Sequence, residues 1–450
     1  MMTDLKPYPA YKDSGVPWLG KVPEHWGVRR LKYLLKERDM RSRDGMEQLL
    51  RVSQYTGVTE RKSFGSDNGP DTRAASLVGY KIVAPDDLVI NIMLAWNGSM
   101  GVSQFHGITS PAYCVYRFFS HIESWYFHNI LRSPAYKARI KAVSTGVVES
   151  RLRLYTDALY RLEVILPPLS EQSAIVRFLD HADRKIRRYI RAKQKLIKLL
   201  EEQKDAIINQ AVTRGIDPNV RLKPSGVKWL GDIPENWEIR RLRSLAHIKT
   251  GERDTVHRKE DGKYPFFVRS QTTERIDSWS FDGEAVLTAG DGAGVAKVFH
   301  YVNGKFDYHQ RVYKFSHFRE IIGIFFFEYF RATLRFEALA GNAKSTVDSL
   351  RLPMLKNFPV VVPPKKEQEM IVEYIELKTH SIESTLIRTR KEITLIKEFH
   401  IRLIADVVTG KLDVREAAAK LPDGVEEPEV EEEIDEIISE AEETGLDVEE

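Results

Sequence analysis

The chain has 450 residues, of which 42% are hydrophobic and 10% aromatic, enough to build the cores of about two to four domains. Its single cysteine, Cys114, excludes an internal disulfide framework and a tetrahedral cysteine zinc site, and it suits a reducing compartment. The formal charge of +3 conceals an asymmetry: residues 421–450 hold 15 Asp plus Glu and no Lys or Arg, whereas the other 420 residues carry 68 basic and 50 acidic side chains, which indicates either a polyanionic partner or a cationic surface kept for solubility.

No segment suited to a membrane stands out along the sequence. Residues 1–10 lack an apolar signal core, and the most apolar stretch, residues 321–330, is too short to span a bilayer. We therefore expect a cytoplasmic protein with no membrane partner.

The sequence is a tandem duplication with a period near 200 residues. The arm SGVPWLGKVPEHWGVRRL at 14–31 returns as SGVKWLGDIPENWEIRRL at 225–242, with 12 of 18 positions identical. PPLSEQ at 167–172 returns as PPKKEQ at 363–368, and VTRGID at 212–217 returns as VTGKLD at 408–413. Each copy thus runs through an arm, a globular domain, a Pro-Pro stop and a long helix. The globular parts differ most, so we expect the two domains to do different versions of one job.

These repeats set the expected domain boundaries. We place the first arm and domain at 1–168, the first helix at 169–217, the second arm and domain at 218–364, the second helix at 365–415, and an acidic tail, expected to be disordered, at 416–450. Each domain is predicted to be α+β. Segments 86–93, 161–166 and 284–288 are predicted strands, and segments 124–132 and 319–334 are predicted helices.

A long helix is predicted after each Pro-Pro stop. The first has Ser170 as its expected N-cap and ends near Thr213, and the second ends at Thr409. Each helix of some 40 residues is roughly 60 Å long. One apolar stripe cannot bury itself alone, so we expect an antiparallel coiled coil with a pseudo-twofold axis; the alternative is that each helix packs on its own domain. The predicted seam consists of Leu179, Ile186, Leu196, Leu200, Ile375, Ile382, Ile396 and Leu403.

Residues 177–204 on the first helix carry ten Lys or Arg against four Asp or Glu. A charge run of this kind is typical of a solvated helix face. It also suits a spacer that faces DNA phosphates or a docking surface, and the sequence leaves both interpretations open.

The sequence shows no motif of a common catalytic site. The glycines of residues 290–294 do not follow G-x-G-x-x-G, and Ala296-Lys297 is not a phosphate loop, so this segment is predicted to be a strand-linking turn that needs positive φ. Residues 91–93 lack the prolines and aromatic residue of an adenine-methylase loop. The histidines have no metal-ligand spacing, and G-x-S-x-G is absent. We expect no catalytic residue and no metal or cofactor site.

Recognition of nucleic acid remains as the predicted activity. Base edges are read by Arg, Lys, Asn and Gln, and phosphates are held by Arg, Lys, Ser and Thr. Such residues cluster in two loop regions; each taken singly is better explained as an ordinary surface or structural polar residue, and only as sets are they candidates. The candidates are Arg51, Ser53, Gln54, Tyr55 and Arg73 in the first domain, and Arg269, Ser270, Gln271, Thr272, Gln310 and Arg311 in the second.

The duplicated motifs resemble those of the specificity subunits of type I restriction-modification systems. The resemblance rests on the arm W-L-G-x-x-P-E-x-W, on P-P-x-x-E-Q before each helix and on V-T-G-K-L-D-V after the second, and it covers about residues 8–415. The stretches 291–295 and 304–311 are also similar to target-recognition domains of that family.

This resemblance implies two target-recognition domains, each of which reads one half of a bipartite site in double-stranded DNA. It implies helices that set the gap between the halves, docking of two methylase subunits, and restriction subunits in the full complex. Adenosylmethionine, ATP and Mg would be bound by those partners only, and this chain would be non-catalytic. Two alternatives remain: a coiled-coil scaffold for protein partners that does not read DNA, and an enzyme in its own right.

Overall fold

The computed structural model of the chain describes residues 5–61, 76–146, 152–340 and 349–422. These residues fold into two compact units: unit 1 lies within residues 1–189 and 394–450, and unit 2 comprises 190–393. Each unit therefore contains one globular domain and a part of both long helices. None of the described helices is long and apolar enough to cross a bilayer.

Unit 1 is built from short strands and three short helices that precede a very long one. Its strands are β1 Tyr11–Asp13, β2 Lys21–Pro23, β3 Gly27–Arg30, β4 Leu35–Arg38, β5 Leu50–Ser53, β6 Gly57–Glu60, β7 Lys81–Val83, β8 Asp87–Ile90, β9 Met100–Val102, β10 Gly107–Thr109, β11 Cys114–Phe118 and β12 Glu163–Leu166. Its helices are α1 Ser124–Leu131, α2 Pro134–Val143, α3 Thr156–Arg161 and the first part of α4 Leu169–Arg214. The largest sheet has the antiparallel order β4-β11-β8-β9, and β5 and β6 form a separate hairpin.

Unit 2 has fewer and longer strands. They are β13 Leu222–Pro224, β14 Asp232–Pro234, β15 Glu238–Arg241, β16 His247–Thr250, β17 Tyr264–Phe267, β18 Glu274–Ile276, β19 Phe281–Ala289, β20 Phe299–Tyr308, β21 Val312–Ser316 and β22 Pro359–Val362. The helices that follow in chain order are α5 Leu242–Leu245, α6 Gly323–Ala340, α7 Leu352–Asn357, α8 Lys365–Val408 and α9 Arg415–Ala419, the last of which belongs to unit 1. Six strands form one sheet in the order β16-β21-β19-β20-β17-β18, in which only β17 and β20 are parallel. The predicted α+β class, with two sheet-rich domains and two long helices, is confirmed.

The duplicated arm motif closes over the start of each long helix in the same way. Trp26 is fully buried and its indole nitrogen donates a hydrogen bond to Glu171 at 3.0 Å, and Trp237 donates to Glu367 at 3.0 Å in unit 2. The arm also supplies a strand that pairs with the strand before the Pro-Pro stop, β3 with β12 and β15 with β22. The repeated tryptophan and glutamate are thus partners in one junction.

The repeated glutamine of the P-P-x-x-E-Q motif connects helix, strand and globular domain. The Gln172 side-chain amide donates to the Pro167 carbonyl at 2.8 Å, and its oxygen accepts from the backbone N–H of Glu123 at 3.1 Å. Gln368 repeats this, since it donates to Pro363 at 2.8 Å and accepts from Ile322 N–H at 2.8 Å. Each buried side-chain amide therefore fixes the start of its long helix relative to the globular domain, because leaving its N–H or its oxygen without a partner costs about 1–3 kcal/mol.

The ends of the long helices lie in the cores of the two units. In unit 1, Phe178 of α4 and Val407 of α8 join the cluster around Trp26. In unit 2, Val212 of α4 and Ile371 of α8 join the cluster around Trp237. The two interpretations of the apolar stripe therefore both hold in part, since the ends pack on globular domains and the remaining stretches pair with each other.

Ion pairs show the direction of that pairing within each unit. In unit 2, Lys193 and Lys204 of α4 reach Glu392 and Glu383 of α8 at 2.8 and 2.6 Å. The partner number falls as the α4 number rises, so the segments are antiparallel, as predicted. In unit 1, Asp183 of α4 lies 3.4 Å from His400 of α8. Part of the charge run at 177–204 is thus used between the helices.

The predicted seam residues differ in burial along the helices. Leu196 has the largest exposed fraction of the eight, 37%, and Leu200 and Ile396 are half-buried. The residues with buried side chains are Leu179, Ile186, Ile375, Ile382 and Leu403.

Two boundary predictions were wrong. Ser170 is not an N-cap, because α4 begins at Leu169 and the Pro168 carbonyl accepts the first backbone hydrogen bonds. The acidic tail was placed at 416–450, but residues 415–419 form α9, and Ala418 and Leu421 are buried in unit 1. The end of the repeat placed the boundary too early, because α9 follows the repeat and buries its few apolar residues. Residues 423–450 lie outside the described residues.

Candidate nucleic-acid interface

The same short polar turn follows a strand in each globular domain. In unit 1, Ser-Gln-Tyr-Thr at 53–56 closes the β5–β6 hairpin, and in unit 2 Ser-Gln-Thr-Thr at 270–273 closes the hairpin of β17 and β18. We call these segments the Ser-Gln turns. Because the tip of a hairpin is not covered by a neighbouring strand, exposed side chains of each turn, such as Gln54, Tyr55 and Gln271, can meet a partner.

The first Ser-Gln turn contains three of the five candidates of the first domain, and Arg51 lies two residues before it on β5. Arg51, Gln54 and Tyr55 are exposed, and Tyr55 is 65% exposed, although an aromatic ring in water is a cost unless a partner covers it. Ser53 is half-buried and its hydroxyl accepts the Tyr55 N–H at 3.1 Å, which shapes the turn. The fifth candidate, Arg73, lies outside the described residues.

The second Ser-Gln turn is also exposed and is fixed by its own side chains. The Ser270 hydroxyl donates to the Thr272 carbonyl at 2.9 Å, and the Gln271 amide donates to the Phe299 carbonyl of β20 at 3.3 Å. One of the donor groups of Gln271 is therefore used inside the domain, while its side chain remains open to solvent.

Two arginines of the second domain share one carboxylate. Arg269 comes directly before the Ser-Gln turn and Arg311 lies between β20 and β21, and their guanidinium groups reach Asp291 at 3.0 and 2.9 Å. Both arginines are exposed, and ion pairs in solvent are worth only about 0–1 kcal/mol. Asp291 thus holds two guanidinium groups side by side. Because these ion pairs are weak, an anionic partner can replace the carboxylate.

The glycine-rich segment at 290–294 packs closely against the backbone of Arg269 and Arg311. A Cβ on Gly294 would lie 2.5 Å from the Arg269 carbonyl oxygen, and one on Gly290 would lie 2.9 Å from that of Arg311. Gly292 has φ +74°, which favours glycine. The predicted strand-linking turn is confirmed, since the segment joins β19 to β20. Gly290 and Gly294 do not have positive φ, and the close approach of the arginine backbones explains why these positions are glycine.

The remaining candidate, Gln310, is positioned by an acidic residue that the sequence did not single out. Its side-chain amide donates to Asp254 at 2.7 Å, and its backbone N–H donates to the Arg253 carbonyl. Beneath it, the carboxylate of Asp307 is buried and accepts from the hydroxyls of Ser278 and Ser280 at 2.8 and 2.7 Å. Asp254, Asp291 and Asp307 meet partners 20 or more residues away, and no local spacing signals such contacts.

Two of the histidines serve the core. His128 of α1 packs against β9, its Nδ1 accepts the Val102 N–H at 3.1 Å, and burial together with nearby Arg132 lowers its pKa to about 3. Burial also lowers the pKa of His309. Within residues 5–61, 76–146, 152–340 and 349–422, no three His, Cys, Asp or Glu side chains are grouped to hold a metal ion.

Large apolar side chains stay exposed on the long helices. On α8, Leu377, Ile387 and Leu395 are 74, 67 and 53% exposed, and on α4 Leu199 is 53% exposed. Exposed apolar side chains repeated along a helix are typical of a surface that another protein covers.

Comparison with known sequences identifies one family. A model of the type I restriction modification DNA specificity domain matches residues 234–395. The chain is 29% identical over 183 residues to the EcoDI type I restriction enzyme specificity subunit of Escherichia coli, an alignment that spans only 40% of either protein. It is 21% identical over 432 residues to the putative MjaX specificity subunit of Methanocaldococcus jannaschii, which covers 88% of this chain and 96% of that one.

A solved structure has the same fold. A chain from a study of complex assembly and conformational transition in the type I R-M system superposes with a TM-score of 0.62 at 16% identity. The match covers 87% of this chain and 99% of that chain.

Proposed function

The chain belongs to the family of type I restriction-modification DNA specificity subunits, and we propose that it reads a bipartite DNA sequence, one half with each globular domain. The observation that carries the proposal is the occurrence of one exposed Ser-Gln turn in each unit, at the same point of the repeat. Two related domains with different side chains around a shared turn suit two different half-sites.

In the second domain, the arginine pair on Asp291 is the principal reader. A guanidinium group can donate two parallel hydrogen bonds to the major-groove edge of guanine, and each such contact discriminates by about 1–3 kcal/mol. Arg269 and Arg311 are exposed and already oriented, so little conformational entropy is lost when DNA replaces the carboxylate. In the first domain, Arg51, Gln54 and Tyr55 take the corresponding role.

The long helices act as the spacer that fixes the gap between the half-sites. Helices of 46 and 44 residues are about 69 and 66 Å long, whereas half-sites one turn apart lie about 34 Å from each other. The exposed apolar residues of α4 and α8 dock two methylase subunits, and restriction subunits join in the full complex. Adenosylmethionine, ATP and Mg belong to these partners, and this chain contributes no catalytic group.

A second candidate function is a coiled-coil scaffold that binds protein partners without reading DNA. It is favoured by the same exposed side chains on the helices, which call for a protein partner whether or not DNA is bound. A footprint on DNA separates the two functions.

The proposal is tested by sequencing the methylated bases in cells that express the chain with its cognate methylase subunit. We expect two short half-sites with a fixed unspecified gap, and replacement of residues 219–365 by those of a relative should change one half only. A contiguous motif would contradict the spacer role of the helices. Absence of methylation despite a folded complex would favour the scaffold.

A further inference from the structure

The first Ser-Gln turn is held from behind by one arginine. At the end of α1, Arg132 donates from Nη1 to the carbonyl of Met100 at 2.7 Å and to that of Ser53 at 3.5 Å. Its Nη2 donates to the carbonyls of Tyr55 and Gln54 at 2.7 and 3.1 Å. One guanidinium group therefore binds three consecutive carbonyls of the turn and ties them to β9.

The partners of Arg132 among the residues that the structure describes are backbone carbonyls. Burial lowers the pKa of Arg132 to about 10, so it stays charged at neutral pH, and its Nη1 and Nη2 groups donate to backbone carbonyls. Gly57, the next residue of the hairpin, leaves the space: a Cβ there would lie 2.8 Å from Nη1, and its φ is +80°. A half-buried cation whose described partners are backbone carbonyls of the turn and of β9 holds these two segments together.

The second Ser-Gln turn is held in a comparable way by a different residue. His300 of β20 lies 3.1 Å from the Ser270 carbonyl through Nε2, and because a carbonyl only accepts, this nitrogen carries the hydrogen. The His300 ring also contacts Phe267 of β17, with 4.9 Å between ring centroids. In both units a nitrogen donor from outside the hairpin thus binds the backbone at the serine of the turn.

We propose that Arg132 is a positioning residue for recognition of the first half-site, and that it fixes the backbone from which Gln54 and Tyr55 meet DNA. His300 has the equivalent role for the second half-site. This inference rests on the proposed function, since it assigns the geometry of that function to residues that do not touch DNA.

The planar fork of arginine is what the geometry requires. Two nitrogens, each with two N–H groups, serve four carbonyls at once, whereas the single ammonium of lysine cannot reach the same set. Replacement of Arg132 by lysine keeps the positive charge but removes the hydrogen bonds that hold the turn. Side chains on a mobile turn discriminate less between bases, because the turn then loses conformational entropy when it binds DNA.

The test uses the full chain with its methylase subunit and the variants R132K and H300F. Hydrogen exchange of a peptide covering residues 50–60 reports the first turn directly, and the methylated motif reports each half-site. We expect R132K to speed exchange of that peptide and to reduce discrimination in the first half about tenfold, with the second half unchanged. H300F, which keeps a ring against Phe267 but removes the donor, should alter the second half only.

R241K is the matched control. Arg241 also donates to a carbonyl, that of Asn357 at 2.6 Å, but contacts neither turn, so both half-sites and the exchange of the peptide should be unchanged. If R132K does not fold, R132Q, which keeps a single NH₂ group, gives the same comparison.

Two results overturn the inference: exchange at 50–60 that is the same in R132K and the unmodified chain, or faster exchange with both half-sites still read normally. A wild-type complex that reads no half-site overturns the proposed function instead. In that case the exchange measurement still decides whether Arg132 holds the turn.

Discussion

The indole nitrogen of Trp26 lies 3.0 Å from the buried carboxylate of Glu171, a contact between residues 145 positions apart. The same carboxylate is reached by His25 at 2.6 Å and by the Tyr8 hydroxyl at 3.2 Å. In unit 2, Glu367 repeats the contact with Trp237, and Asn236 stands where His25 does. The arm motif and the helix motif are therefore two halves of one structure.

Replacement of Glu171 by Gln should lower the free energy of unfolding by about 2 kcal/mol, because an amide leaves charge-assisted hydrogen bonds from buried donors unmade. Chemical denaturation of the purified chain measures this. Glu369→Gln, at an exposed position two residues after Glu367 on α8, is the control and should change the value by less than about 0.5 kcal/mol. Equal effects of the two substitutions would refute the role of the junction.

Replacement of Asp291 by Asn should weaken reading of the second half-site about tenfold and leave the first unchanged, because the guanidinium groups of Arg269 and Arg311 lose their shared anchor. Binding to DNA with one half-site randomised at a time measures it. Asp277→Asn removes an ion pair with Lys259 in the same unit without contact to the arginines, and it should be neutral. If both variants behave alike, Asp291 does not organise the reader.

Reversal of one helix-to-helix ion pair should be compensated by reversal of its partner. Lys204→Glu alone places two carboxylates together and should destabilise unit 2 by about 0.5–1 kcal/mol, and the further change Glu383→Lys should restore most of the loss. A double-mutant cycle at low and high salt measures the coupling, which should shrink as salt rises. A coupling of zero at low salt would argue against the antiparallel register.

His128 should contribute to loss of stability in acid. Its pKa is about 3 in the fold and about 6.5 when unfolded, so between these values the unfolded chain binds more protons, and stability falls as pH drops below 6.5. The slope from this group reaches about 1.4 kcal/mol per pH unit. In His128→Gln the slope between pH 6 and 4 should be smaller, whereas the exposed His121→Gln should leave it unchanged. Unfolding curves at several pH values make the comparison.

The repeat made the framework of the fold predictable. Trp26 and Trp237, the Pro-Pro stops and the apolar spacing of α4 and α8 are signals that recur in the same order, and recurrence removes most of the ambiguity of local propensity. The helix start at 169 was predicted correctly, but Ser170 was taken for the N-cap because a serine in the first turn resembles a cap.

The site was predictable only in part, for a physical reason. Exposed polar residues near strand ends, such as Gln54 and Arg311, are visible in the sequence because their residue types suit base edges. Arg132, Asp291 and His300 were missed because they act through contacts 20 to 79 residues away. Such contacts are fixed by tertiary packing, which leaves no periodic signal.

The pairing of β3 with β12 and of β15 with β22 places the two ends of each globular domain side by side. Arg30 faces Glu163 across the first pair, and Arg241 faces Pro359 across the second, which corresponds to about 5 Å between Cα atoms. Because the two ends of a domain lie next to each other, the segment between them can be exchanged while the paired strands and the Trp–Glu junction stay in place. Recombination at these strands can therefore exchange a whole domain, and if each domain reads one half-site, as proposed, a chain with the same domain twice would recognise a site with two identical halves.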